Sequence, residues 1–168
     1  MKISRKRANA GKEEGGGLND DVAVPGTAIL GPISYCILRA AKSHRALAAS
    51  LLRPLGLHAG QETLLMQLWD ENPQTQTQLI NDLQLDASTV TKMVQRLERQ
   101  GLVRRSVSKA DGRAVDVGLT ADGMALRSKV KRMWGDLEVL SLKHLTEDER
   151  LTLADLLGKV IKGSISER

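Results

Sequence analysis

Ser88, Thr91, Lys92, Gln95 and Arg99 recur at three- and four-residue steps, so any helix that contains them carries all five on one side. Short hydroxyls let a backbone come close to a surface, the Gln95 carboxamide matches the donor and acceptor of adenine, and Lys92 or Arg99 can reach guanine or phosphate. Val90, Met93, Val94 and Leu97 fall on the opposite side, with Thr89 and Arg96 at the flank. A helix entering a major groove leads with its N-terminal residues, and the order of side chains suits that approach. Taken alone, the same segment fits an ordinary amphipathic helix with a solvated polar face.

A second basic group follows. Leu102-Val-Arg-Arg-Ser-Val and Ala114-Val-Asp-Val-Gly-Leu alternate in polarity around Ser108-Lys-Ala-Asp-Gly-Arg, which predicts a hairpin with Asp111-Gly112 near its tip. Lys109 and Arg113 flank that tip. From Asp86 to Arg113 there are seven bases, Arg104 and Arg105 among them, against three acids, an excess of four positive charges. An Arg on such a tip can enter a minor groove narrowed by A·T sequence. Asp111 is expected to form the turn and to orient the Arg113 guanidinium, although a solvated turn uses the same residues.

The elements that hold these groups are legible from caps and periods. Asp86 is expected to cap the helix that carries Ser88, and Gly101 to end it in a left-handed conformation. Before it, Thr75 or Thr77 caps a short helix to about residue 82 that buries Leu79, Ile80 and Leu83. An earlier helix over about 60–71 turns Leu64, Leu65 and Leu68 inward. Pro32 opens a long helix to about Arg53, with Ile33, Ile37, Ala40, His44, Leu47 and Leu51 on one stripe. A helix so apolar along its length needs a partner surface, which suggests a dimer interface. From Ala121 another long helix is expected to carry Leu126, Val130, Met133, Leu137, Leu140 and His144. Thr146-Glu-Asp-Glu then reads as a capping box for a last helix with Leu153, Leu156, Leu157 and Val160 inward.

Composition narrows the partner. The 168 residues carry a net charge of +5, which favours a polyanion, and 41% are hydrophobic, enough for one core. Phe is absent and only Tyr35, Trp69 and Trp134 are aromatic, which argues against readers that stack single-stranded bases. One cysteine excludes an intrachain disulfide and suits a reducing compartment. No stretch approaches the roughly 18 apolar residues of a membrane span, so a cytoplasmic protein without membrane contact is expected. Phosphate-cradling loops, Gly-x-Ser-x-Gly and His-Glu-x-x-His are missing, so no enzyme and no cofactor is expected. Residues 1–25 are basic and Gly-rich and are expected to be disordered, either as a solvated tail or as an arm that adds phosphate affinity.

The run Thr75-Gln-Thr-Gln-Leu79-Ile-Asn-Asp-Leu83-Gln-Leu85-Asp-Ala-Ser-Thr-Val-Thr, then Leu97-Glu-Arg-Gln-Gly101-Leu-Val, Asp111-Gly-Arg113 and Leu119-Thr120-Ala-Asp-Gly123 resembles the MarR-type winged-helix transcriptional regulators. The resemblance covers about residues 32–161 and rests on the ordered set rather than on any one piece. It departs from the family at Gln84, where many members have Gly in the turn. It implies a mainly α fold with a small β-hairpin wing. The DNA-binding lobe would span about 60–120, with dimerisation helices over about 32–53 and 121–165, within a domain of residues 26–168. It also implies a homodimer on double-stranded DNA, controlled by a small, often phenolic, ligand or by cysteine oxidation. By position, Ser88, Thr89, Thr91, Lys92 and Gln95 would face the major groove and Arg113 the minor groove. Arg96, Arg99, Arg105 and Lys109 add basic contacts to that set.

The function expected is therefore sequence-specific regulation of transcription, most simply as a ligand-responsive repressor that occludes a pseudo-palindromic operator. Two alternatives use the same residues: a non-specific architectural DNA binder, and a winged helix serving as a protein-interaction module. Cys36 is either an oxidation sensor or a small buried helix residue. His44 and His144 are either ligands or hydrogen-bonded interface residues, no zinc-type spacing is present, and His58 is a candidate for lining an effector cavity.

Overall fold

The protein is described from a computed structural model, which covers residues 24–108 and 112–165. The basic tail, Lys109 and Asp111 therefore lie outside the described residues. The described residues divide into two compact units, the first ending at Lys42 and the second beginning at Ser43.

In the first unit a 3-10 turn, Gly26–Ala28, precedes Pro32, which opens helix α1 (Pro32–Leu52) as its fixed φ favours. Ile33 and Leu38 are exposed there, Ile37 less so, and Cys36 is half-buried.

The second unit begins within α1 and continues through α2 (Gln61–Asp70), β1 (Gln74–Thr75), α3 (Gln76–Leu83), α4 (Ala87–Arg99), β2 (Val103–Val107), β3 (Val115–Leu119), α5 (Ala121–Ala125), α6 (Arg127–Ser141) and α7 (Glu147–Ile165). Its core gathers Leu52, Leu64, Leu65, Leu68, Leu79, Val90, Val94, Leu97 and Val117, all fully buried, with Val130, Met133 and Leu137 of α6 beside them. Each such side chain contributes about 1.5–3 kcal/mol through removal from water. That burial, rather than helix propensity, holds these short helices in place.

The expected hairpin is present, with Val103 opposite Leu119 and Val107 opposite Val115, but it is part of a three-stranded antiparallel sheet in the order β1-β3-β2. The added strand is two residues long, Gln74 opposite Val117 and Thr75 opposite Asp116, too short to leave an alternating pattern. Thr75 is the cap of α3: its hydroxyl accepts from Gln78 N while the Gln78 side chain accepts from Thr75 N at 2.8 Å.

Three expectations need correction. The helix from Ala121 is divided at Leu126, although Leu126 keeps helical angles (φ −72°, ψ −19°). Hydrogen bonds from Leu126 N to Asp122 and from Val130 N to Leu126 carry the ladder across it. The helix also ends at Ser141, so His144 sits in the connection to α7 rather than on the helical stripe. That corner is closed by Arg150, whose guanidinium donates to the carbonyls of Leu142 and Leu145. Last, α7 is capped by Thr146 and Glu149 as expected, yet Leu156, Leu157 and Val160 are exposed instead of inward and Leu153 is only half-buried. Among the described residues no side chain of α7 is buried.

Candidate nucleic-acid interface

The turn between α3 and α4 is set by Gln84, which adopts the left-handed conformation (φ 52°, ψ 38°) that glycine reaches without strain. Its side-chain amide donates to the Asn81 carbonyl at 2.6 Å and closes the end of α3. Asp86 then caps α4 by accepting from Thr89 N at 2.8 Å. Ser88 and Thr89 hydroxyls also donate to it, and those bonds hold the Asp86 carboxyl well below the usual carboxylate range. The cap is therefore charged at neutral pH and sits where the helix dipole favours an anion.

Along α4 the two faces separate cleanly. Val90, Val94 and Leu97 are fully buried, while Ser88, Lys92, Gln95, Arg96 and Arg99 are exposed. Thr89 and Thr91 are half-buried at the edge. Thr91 is held from two sides, its hydroxyl donating to Ala87 O at 2.7 Å and accepting from Gln76 Nε2 at 2.6 Å. Gln76, at the first position of α3, thus joins both helices of the motif. Sequence reading passed over it because nothing in its spacing links it to a residue fifteen positions on.

The wing is fixed to α4 by a second tie. Arg105 of β2 reaches Glu98 of α4, with NH2 to Oε2 at 2.6 Å and Nε to Oε2 at 2.9 Å, and its backbone amide also approaches the carboxylate. The pair lowers the Glu98 carboxyl and raises the Arg105 guanidinium from their usual values. Arg105, read from the sequence as a basic contact, thus has a partner on the helix beside it. Arg104 next to it is exposed, and Arg113 is exposed in the turn two residues before β3. Gly101 is left-handed (φ 72°), as its place after α4 predicts.

Support from below comes from residues that sequence reading missed. Trp69 Nε1 donates to Gly123 O at 3.1 Å, and a Cβ on Gly123 would fall 2.0 Å from Leu102 O, so only glycine allows this approach of α5 to the entry of β2. Gln61 is buried and its Oε1 accepts from His58 N, while Gln100 at the end of α4 donates to Gly56 O. His58 itself is exposed in that loop and His44 is exposed on α1. Among the described residues no cluster of His, Cys, Asp or Glu could hold a metal, and no helix is long and apolar enough to cross a membrane.

A concavity of about 230 Å³ opens between α2 and α6, lined by Met66, Trp69, Val130 and Trp134 with Asp70, Arg127 and Lys131 at its polar rim. His58 is not among its lining residues.

The arrangement of helices, sheet and basic face has close counterparts. A family model described as the MarR family matches residues 57–115. The HTH-type transcriptional regulator MgrA of Staphylococcus aureus is 35% identical over 101 residues, 60% of this chain and 67% of that protein. The organic hydroperoxide resistance transcriptional regulator of Bacillus subtilis is 37% identical over 98 residues, 58% of this chain and 66% of its own. Among solved structures, a mutant of MarR from E. coli complexed with operator DNA superposes with a TM-score of 0.75 at 30% identity, covering 82% of this chain and 99% of that one. A probable transcriptional regulator from Pseudomonas aeruginosa gives a TM-score of 0.72 at 30% identity, over 76% and 96% of the two chains. The fold, the ordered motifs and these likenesses agree: the chain belongs to the MarR family of winged-helix transcriptional regulators and not to a family of enzymes.

Proposed function

We propose that this regulator acts as a homodimer on a pseudo-palindromic operator and represses by occluding it. The observation that carries the reading is the division of α4, where three fully buried aliphatic side chains fix the helix and leave Lys92, Gln95, Arg96 and Arg99 turned to solvent. Ser88, Thr89 and Thr91 lead that face toward base edges, Arg113 takes the minor groove, and the backbone between them is positioned by the Glu98–Arg105 tie. The relative complexed with operator DNA supports the assignment. Dimerisation is supported by α7, whose Leu151, Leu156, Leu157, Val160 and Ile161 are 42–67% exposed in the single chain, more contiguous apolar surface than a solvated helix face retains. Ile33 and Leu38 of α1 are exposed in the same way.

Control by a small aromatic acid is the second part of the proposal. The α2–α6 concavity offers two indoles and Met66 to a ring, and Arg127 and Lys131 to a carboxylate or phenolate. It replaces His58 as the effector candidate. Since Trp69 and Trp134 are the chain's two tryptophans, binding of substituted benzoates would quench its indole fluorescence directly.

The operator reading is tested with Arg113→Ala in a titration at fixed salt. Affinity for a selected operator falls about tenfold or more while the dimer mass is retained. Unchanged affinity refutes the wing assignment.

A further inference from the structure

The hydroxyls that lead α4 have no proton left to offer. Ser88 Oγ lies 2.6 Å from Asp86 Oδ1 and Thr89 Oγ1 lies 2.6 Å from Asp86 Oδ2. An ionised carboxylate only accepts, so both protons lie on those lines. Thr91 Oγ1 is 2.7 Å from the Ala87 carbonyl, which also only accepts, and its other neighbour is the Gln76 amide nitrogen, a donor. All three proton positions follow from the partners alone.

We infer that Ser88, Thr89 and Thr91 meet DNA as hydrogen-bond acceptors only, and so select adenine or cytosine, which offer an exocyclic amino group in the major groove, over guanine and thymine on the strand they face. The inference rests on the operator reading above and names the base chemistry that its leading residues recognise. Guanine presents N7 and O6 there and thymine presents O4, all acceptors, which find no donor among these hydroxyls. Phosphate oxygens likewise only accept, so the three cannot act as backbone anchors while their internal bonds stand. Rotating the Ser88 or Thr89 hydroxyl toward a guanine or thymine acceptor strips a charge-assisted bond from Asp86, a stronger bond than the neutral one gained. Donors on this face begin at Lys92, Gln95, Arg96 and Arg99, further along the helix. Asp86 is thus a positioning residue for specificity, acting through Ser88 and Thr89.

The distinguishing variant is Asp86→Asn. Asparagine keeps the cap, since its Oδ1 still accepts from Thr89 N, but its Nδ2 donates, which turns a hydroxyl around and frees a proton for the base. The full-length protein and the variants Ser88→Ala, Thr89→Val and Asp86→Asn are each taken through selection from a randomised duplex library at constant salt, with thermal unfolding as the folding check. At the positions whose preference weakens in Ser88→Ala or Thr89→Val, the parent protein enriches adenine or cytosine about fivefold or more over guanine and thymine on the strand that α4 faces, identified as the strand on which removing a single exocyclic amino group weakens binding. In Asp86→Asn the new Nδ2 stands where Oδ2 accepts from Thr89, so the positions that weaken in Thr89→Val shift toward guanine or thymine, while those that weaken in Ser88→Ala keep their preference. Enrichment of guanine or thymine by the parent protein overturns the inference and leaves the operator reading standing. So does an even loss of affinity in Ser88→Ala and Thr89→Val without change of preference, or an unchanged preference in Asp86→Asn at the positions that weaken in Thr89→Val. A parent protein that enriches no sequence overturns both.

Discussion

Arg105, on the strand after the recognition helix, holds Glu98 of that helix at 2.6 Å, and the two side chains are only 39% and 33% exposed. A residue that the charge pattern marks as a candidate DNA contact therefore joins α4 to β2. In Glu98→Ala the charge opposing phosphate and the tie are both removed, and the two losses move different readouts. Non-specific DNA binding strengthens slightly, whereas the ratio of specific to random-sequence affinity falls several-fold. A titration with selected and random duplexes at one salt concentration reads both, and a preserved ratio would show that the tie does not position the wing.

Gly123→Ala places a methyl group where the Leu102 carbonyl stands, with Trp69 bonded to the same residue's carbonyl. Neither backbone can give way without moving β2 or the start of α5. The expected loss is about 3 kcal/mol, at the upper end of overpacking effects. Urea unfolding followed by tryptophan fluorescence measures it, and a loss below about 1 kcal/mol would be inconsistent with so close an approach.

Gln84→Gly has the opposite sign. A left-handed residue with a side chain costs about 1–2 kcal/mol, and glycine's greater freedom in the unfolded chain returns part of that. The variant should gain up to about 1 kcal/mol in the same assay. A net loss would mean that the Gln84 amide on Asn81 O outweighs the backbone strain.

Glu62 is buried at the start of α2, and burial pushes its carboxyl above the usual value, with the amide of Gly60 donating to Oε2 at 2.7 Å. A raised carboxyl favours the protonated form in the folded state. Its contribution is therefore complete at low pH and declines as pH rises through the raised value. Asp86, Glu98 and Glu149 are lowered and behave in reverse, losing their contribution as pH falls. Glu62→Gln keeps an acceptor for Gly60 N and removes only the first effect. It should stabilise the protein at about pH 8 and do little at about pH 4. Equal gains at both would show that the carboxyl is not titrating in the fold.

What the sequence disclosed and what it hid follow from range. Caps at Asp86 and Thr146, the glycine stop at Gly101 and the aliphatic stripe of α4 are local, so each can be read within a few residues. Gln76 with Thr91, Trp69 with Gly123 and the pairing of β1 with β3 join distant positions and leave no local signature. The apolar residues of α7 share a face as their period predicts, yet they are exposed rather than inward, since a period says which residues share a face and not what covers it. Glu98 and Arg105 stand only seven residues apart, but a helix end and a strand entry lie between them, and net charge does not say which base an acid holds.

In the proposed dimer, two copies of the α4 face would read successive major grooves of one site. Footprinting of the full-length protein on a duplex selected from the randomised library, at near-physiological salt, tests it most directly. The account predicts two symmetrically related protected stretches with centres about one helical turn, ~10 bp, apart, bound by one dimer. A single asymmetric stretch, or protection independent of sequence, would contradict it.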